Sequence, residues 1–292
     1  MKVKAKKSLG QNFLRDESVI ENIIESADLS ADDVVIEVGP GEGVLTKKLA
    51  GISKKVIAIE KDESLAEMTA HNFQFSISNF QSISNDPILN FENKVAIIMG
   101  DILQFDLGKI LKANKITKYK VVANLPYYIT SPILRYFLEN ELPPSEMIVM
   151  VQKEVAERIV DKPGQMSILA VSVQYYAKAE YLFTVKRDSF EPSPKVDSAV
   201  IRIKTLKQKN IKTINQKEET RDFFRIVKAG FSAKRKTLAN NLSNSLHKDK
   251  KEIENILSQS GFAPTVRAQE LSVEDWKKLE KVISHQQIVI EK

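Results

Sequence analysis

The chain has no cysteine among its 292 residues, and this removes disulfides, thiolate metal sites and a cysteine nucleophile together. The absence fits a reducing compartment. No stretch approaches the roughly 18–20 apolar residues of a membrane-spanning helix, and the opening "MKVKAKKSLGQNFL" lacks the apolar core of a secretory signal. A cytoplasmic protein with no membrane partner is expected. Histidine is scarce as well: His71, His247 and His285 fall in helical or loop patterns away from strand ends and are expected at the surface. No metal site is expected.

What is present is ordinary for a soluble globular protein, with 42% hydrophobic and 28% charged residues. The net charge of +6 favours a polyanionic partner, and the basic residues are clustered. Lys2, Lys4, Lys6 and Lys7 crowd one end, and Lys228, Lys234, Arg235 and Lys236 crowd a later segment. Two such clusters can bracket a long anion.

From Asp32 onward, short valine- and isoleucine-rich runs alternate with helical patterns, the mark of βα units in a mostly parallel sheet. Seven strands are predicted, at 33–38, 55–60, 94–100, 119–124, 146–151, 179–185 and 198–203. The last two flank "FEPSPKVDS" with no helix between them, so they are expected to pair antiparallel at one edge, the last strand being the antiparallel one. Segment 73–93 has no clear period and is expected to be a loop or short insertion. After Lys204 the sequence becomes polar and lysine-rich, and beyond it only helical spacing remains. The predicted organisation is α/β: residues 1–206 form an arm and a sheet domain, and residues 207–292 a small all-helical domain.

"VVIEVGPGEGVLT" puts Gly39, Gly41 and Gly43 between the first strong strand and a helix, where backbone can approach a ligand closely. The second strand ends in Glu60, about 20 residues beyond the first glycine, where a carboxylate can take both hydroxyls of a ribose. A nicotinamide fingerprint would place its third glycine at Val44, and Glu37 inside the first strand suits a cation better than a pyrophosphate. Among common nucleoside cofactors, S-adenosylmethionine is a cation without phosphate. Asp101, after the third strand, can accept a bond from an adenine amino group. Glycine loop, Glu60, Asp101 and Asn124 thus end four successive strands, on the edge where doubly wound sheets bind ligands.

At Asn124-Leu125-Pro126-Tyr127 the proline stops the fourth strand and stiffens the loop. The exocyclic amine of a base is a poor nucleophile because its lone pair is delocalised into the ring. The Asn124 amide oxygen and the Leu125 carbonyl can accept its two N–H bonds, while Tyr127 stacks on the base. Such a transfer needs neither a covalent intermediate nor a histidine base. Each element also has a plainer reading: a tight glycine turn, Asp101 as a turn cap, Pro126 closing a strand with Tyr127 and Tyr128 over the core.

With these motifs in hand, "KKSLGQNFL" (6–14), "VIEVGPGEGVLT" (35–46), "NLPYYITSPIL" (124–134), "FEPSPKVDSAVIRI" (190–203) and "FSAKRKTLANNL" (231–242), the chain resembles the KsgA-type small-subunit ribosomal RNA adenine N6,N6-dimethyltransferases. The resemblance implies a Rossmann-like S-adenosylmethionine-dependent methyltransferase domain with a helical C-terminal domain that binds or orients RNA. It implies two methyl groups on each of two adjacent adenosines in the 3′-terminal hairpin of 16S rRNA, with the immature small subunit as partner and a monomeric enzyme. Asn12 and Leu14 would contact the cofactor with Gln11 nearby, and Gly39, Glu60, Asp101 and Asn124 would take the family's cofactor-loop, ribose, adenine and catalytic-loop positions. The turn in "FEPSP" would present Phe190 to the face of the target base opposite Tyr127, or else Phe190 simply packs the strand edge. Lys195, Lys234, Arg235 and Lys236 would contact phosphates. Segment 73–93 is longer than the family pattern leads one to expect. Two rivals share parts of the pattern: erythromycin-resistance-type large-subunit rRNA methyltransferases and non-catalytic nucleic-acid-binding relatives.

Overall fold

Valine and isoleucine build the centre of the sheet because it is covered on both faces, so its strands lose the polar alternation of a half-exposed strand. The computed structural model describes residues 6, 10–73, 76–79, 94–206 and 214–285. It divides into two units, one made of Met1–Glu157 with Ala177–Leu206 and the other of Arg158–Tyr176 with Lys207–Lys292.

In the first unit, parallel strands β2 (Val34–Val38), β3 (Lys55–Glu60), β5 (Val95–Met99), β6 (Lys120–Asn124) and β7 (Glu146–Gln152) form the middle of the sheet. All seven predicted strands are present. An eighth, β4 (Ser76–Asn79), pairs in parallel with β5 at one edge. This corrects the expectation of a loop there; the rest of the 73–93 segment, Phe73 apart, lies outside the described residues. At the other edge β10 (Ser198–Thr205) runs antiparallel to both β7 and β8 (Ala177–Val185), giving the order β4-β5-β3-β2-β6-β7-β10-β8.

The sheet builds outward from β2 through β3, then returns to β6 on the other side of β2, so the strand order reverses between β2 and β6. A crevice forms at the carboxyl end of such a reversal. Helices α1 (Glu17–Ala27), α2 (Val44–Ile52), α3 (Glu63–Phe73), α4 (Leu107–Ala113), α5 (Thr130–Leu138) and α6 (Lys153–Ile159) fill the connections. Ile20, Ile23, Leu49 and Ala66 of the first three join Val35, Val56, Ile97 and Ile148 in a common buried cluster. A separate two-stranded ribbon pairs β1 (Phe13–Leu14) antiparallel with β9 (Phe190–Glu191).

The second unit contains α8 (Ile214–Gly230), α9 (Leu238–Leu246), α10 (Lys250–Gln259) and α11 (Val273–His285). Capping chemistry marks the starts of the last three: Thr237 accepts from Asn240 N, Asp249 from Lys251 N, and Ser272 and Asp275 bond reciprocally at the head of α11. One division between the units falls between Leu206 and Lys207. The short helix α7 (Ile168–Gln174) belongs to the second unit, because Met166, Ala170 and Val171 share a core with Phe223, Leu238, Ile253 and Trp276. The chain therefore leaves the sheet unit after Glu157 and re-enters it at Ala177.

Gly230, where α8 ends, lies against the fully buried Trp276; a Cβ there would overlap Trp276 Cη2 and stand 2.8 Å from Leu238 Cδ1. Neither wall is a flexible tip. Gly230→Ala is expected to destabilise this unit by ~1–3 kcal/mol, the usual cost of overpacking, and denaturant titration followed by Trp276 fluorescence measures it.

Among the described residues, no helix is long and apolar enough to cross a membrane. His71 and His247 are exposed as expected; the side chain of His285 lies outside the described set.

Candidate active site

The glycine loop takes its shape from three left-handed residues, Gly39 (φ 68°), Gly41 (φ 58°) and Gly43 (φ 80°), a conformation that side chains disfavour. Gly39 N–H donates to Ile59 O, tying the loop to β3, and the Thr69 hydroxyl donates to Gly41 O at 2.7 Å. A Cβ on Gly41 would also meet the Phe13 ring at 3.4 Å. The loop is thus held from both α3 and the ribbon.

Glu60 ends β3 only 6% exposed and accepts Gly41 N–H through Oε2 at 3.2 Å and Asp62 N–H through Oε1 at 2.8 Å. Two backbone donors leave about half of a carboxylate's acceptor sites free. Burial raises its pKa, and those backbone bonds oppose the rise. Glu37, in the middle of β2, is 2% exposed and more extreme: burial pushes its pKa up to about 8, with neighbouring Glu60 adding to the rise. The Thr46 hydroxyl opposes that shift, yet Glu37 Oε2 and Thr46 Oγ1 both lack a hydrogen-bond partner of normal geometry among the described residues.

Asn124 closes β6, and Leu125 N–H continues the strand register by donating to Met150 O at 3.0 Å. Pro126 O then accepts from Ile129 N–H and the Thr130 hydroxyl, clamping the turn that follows. Asn124 Nδ2 points to Asn12 O at 3.5 Å, while Asn124 Oδ1 is buried with no partner among the described residues. A buried amide oxygen left open is costly unless something else bonds it. Tyr127, half-buried, bonds the Ser198 hydroxyl, and burial raises its phenol pKa against that bond. Tyr128 is 52% exposed at the mouth.

One crevice collects these groups. Gln11, Asn12, Leu14, Glu37, Gly39, Gly41, Glu60, Lys61, Asn124, Leu125, Tyr127 and Tyr128 all line it. The arm closes one wall: Lys6 Nζ pairs with Asp62 at 2.8 Å and Gln11 Nε2 donates to the same carboxylate at 2.9 Å. Arg15 bridges Glu42 of the glycine loop and Glu191 of β9. Asp62 and Arg15 escaped the reading of the sequence; the only signal for Asp62 was an acidic residue two places after Glu60.

Two expected residues stand elsewhere. Asp101 does not line the crevice: it caps the 3₁₀ turn Ile102–Gln104 through Leu103 N–H, and its other oxygen pairs with Lys61 Nζ at 2.9 Å. Lys61 covers that side of the crevice instead. Phe190 is 4% exposed and joins the buried cluster with Val185 and Val200, so the ribbon turns it into the core and it presents no free face beside Tyr127. Lys195, Lys234, Arg235 and Lys236 are exposed, the last three on the turn between α8 and α9.

The arrangement can surround a flat nucleoside, offer a carboxylate to vicinal hydroxyls and present an open amide oxygen to an amine. An open sheet with this reversal, glycine loop and acidic strand end is that of the Rossmann-like methyltransferases. A solved dimethyladenosine transferase from Plasmodium falciparum shares the fold with a TM-score of 0.73 at 23% identity, covering 94% of this chain and 98% of that one. The 23S rRNA methyltransferase ErmE follows with a TM-score of 0.66 at 25% identity, over 94% of this chain and 100% of its own. Ribosomal RNA small subunit methyltransferase A of Dehalococcoides mccartyi is 42% identical over 277 residues, 95% of this chain and 88% of that protein. The family description "Ribosomal RNA adenine dimethylase" matches residues 2–285, and the chain belongs to that family.

Proposed function

We propose that the protein uses S-adenosylmethionine to dimethylate N6 of two adjacent adenosines in the 3′-terminal hairpin of small-subunit rRNA, acting as a monomer on the immature subunit in the cytoplasm. The observation that carries the reading is Asn124, which lines the crevice together with Glu37 and Glu60 and whose buried Oδ1 has no hydrogen-bond partner among the described residues. The residues fit the cofactor: Glu37 is a buried carboxyl whose Oε2 has no hydrogen-bond partner among the described residues, suited to a cation, and Glu60 retains acceptor capacity for ribose hydroxyls. Gln11, Asn12, Leu14, Gly39 and Gly41 complete the wall.

When bound, S-adenosylmethionine supplies an electrophilic methyl group on a sulfonium. Asn124 Oδ1 and the Leu125 carbonyl accept the two N–H bonds of the adenine amine, which favours the developing tetrahedral nitrogen and aims its lone pair. Tyr127 holds the base plane, a flipped base being read by stacking in such pockets. The methylated nitrogen becomes acidic and gives its proton to water, so no side-chain base is required. The arm, fastened by Lys6 and Gln11 to Asp62, keeps water from that wall of the crevice.

Small-subunit RNA is favoured over large-subunit RNA because the 42%-identical relative carries the small-subunit name, against 25% for ErmE. Labelled cofactor given separately to under-methylated small subunits and to large-subunit RNA, followed by nucleoside analysis, is expected to place dimethyladenosine in the former alone. Label in large-subunit RNA only would overturn the assignment.

The exposed Lys234-Arg235-Lys236 turn is assigned to phosphate contacts, with Lys195 as a further one. Replacing the three turn residues by alanine is expected to weaken RNA binding and to reduce the slope of log affinity against log salt by about 2, at ~0.7–0.9 per lost phosphate contact. Anisotropy titrations over a salt series measure the slope, and cofactor affinity is expected to stay unchanged.

A further inference from the structure

The bond between Tyr127 and Ser198 joins the loop that meets the base to the start of β10. Ser198 is fully buried and paired on both sides, with Gln152 of β7 and Val185 of β8. The residue before it is fixed too: Asp197 Oδ1 accepts Arg187 N–H, and Asp197 O accepts Lys153 N–H, both at 3.0 Å. The Ser198 hydroxyl is therefore mounted on backbone held between two strands. Backbone bonds at Leu125 and Ile129 fix the Tyr127 loop, and the side-chain bond to Ser198 fixes the half-buried phenol at its far end.

We propose that Ser198 is a positioning residue for methyl transfer: its hydroxyl holds the Tyr127 phenol and so fixes the plane on which the target base rests. The inference depends on the function proposed above and deepens it. Stability alone gives little reason for the pair, because replacing both partners of a buried hydrogen bond by apolar groups is close to neutral. Orientation gives a reason. Stacking depends on ring geometry, and a reacting group misplaced by ~1 Å can lose about a hundredfold in rate.

The test is a double-mutant cycle on the full-length protein with Ser198→Ala, Tyr127→Phe and the double variant. Single-turnover methylation at saturating cofactor and RNA, cofactor affinity and thermal midpoint are measured for each. A reporter RNA carrying 2-aminopurine at the target position follows base stacking by fluorescence. Each single variant is expected to lose about tenfold in rate with cofactor affinity unchanged within about twofold, and the double variant to be no slower than either. The 2-aminopurine quenching is expected to weaken equally in all three. Unchanged rates, or losses that multiply in the double variant, would overturn the proposal. Should Ser198→Ala fold poorly, Tyr127→Phe removes the same bond without touching the sheet, and its wild-type rate would be equally decisive. Tyr127→Ala separates this inference from the reading beneath it. An active Tyr127→Ala enzyme sinks base-holding by Tyr127 altogether, whereas an inactive one beside fully active Tyr127→Phe and Ser198→Ala sinks the positioning role alone.

Discussion

Asn124→Ala is expected to slow methyl transfer by at least about 10²–10³-fold, the cost of removing one preorganised hydrogen-bonding group from a developing charge, while cofactor binding survives. The two effects separate because of where the side chain's atoms point. Nδ2 faces the arm at Asn12 O over a long 3.5 Å, so its loss weakens that wall only slightly, whereas Oδ1 has no partner among the described residues. An amide oxygen held open in this way is a cost in the free protein, and removing it is expected to leave the thermal midpoint unchanged or raised. Calorimetric cofactor titration, thermal melting and single-turnover rates are read on one preparation. A lowered midpoint with cofactor affinity lost in parallel would show Asn124 to be a structural residue. Asn124→Asp keeps an acceptor but sets a charge against Asn12 O, and an intermediate rate is expected.

The same residues show what the sequence made legible. The glycine loop, Glu60 and Asn124 were readable because each ends a valine- or isoleucine-rich strand, and parallel strands bring such ends to one edge. Strand β4 was not, since "SISN" is four residues long and more polar than a central strand. Helix α7 looked like part of the sheet unit because its neighbours in sequence are there; its buried partners lie some 50 to 110 residues later, at Phe223 and Trp276. Phe190 misled for a related reason. The two-residue ribbon that turns it inward depends on a pairing with Leu14, 176 positions earlier, and no local pattern announces it. Asp101 was legible as an acidic residue after a strand, but nothing local showed that the Lys61 ammonium, 40 positions earlier, takes one of its oxygens. Local chemistry located the crevice, and long-range pairing decided which side chains reach it.

Glu37 carries the second large effect, on stability and cofactor binding in opposite directions. With its pKa near 8 in the folded protein and 4.5 as the ordinary value, the folded state holds a proton that the unfolded chain releases across that interval. The stabilising protonation is therefore fully present below about pH 4.5 and is lost as pH rises toward 8, at a cost of the order of a few kcal/mol. Glu37→Gln removes the titration, so its advantage in thermal midpoint over the wild type is expected to grow from pH 5 to pH 8. A parallel shift at every pH would mean that Glu37 does not titrate in that range. Cofactor binding should run the other way, because a cation in the crevice favours the carboxylate form and draws the proton off. Calorimetry at pH 7 in buffers of different ionisation enthalpy is expected to show proton release of up to one per cofactor for the wild type, with less release and weaker binding for Glu37→Gln. The absence of proton release from the wild type would place the cation away from Glu37. A neutral glutamine is thus expected to make a more stable apo protein and a poorer enzyme, since the buried carboxyl is tolerated in the fold for the ligand it can meet.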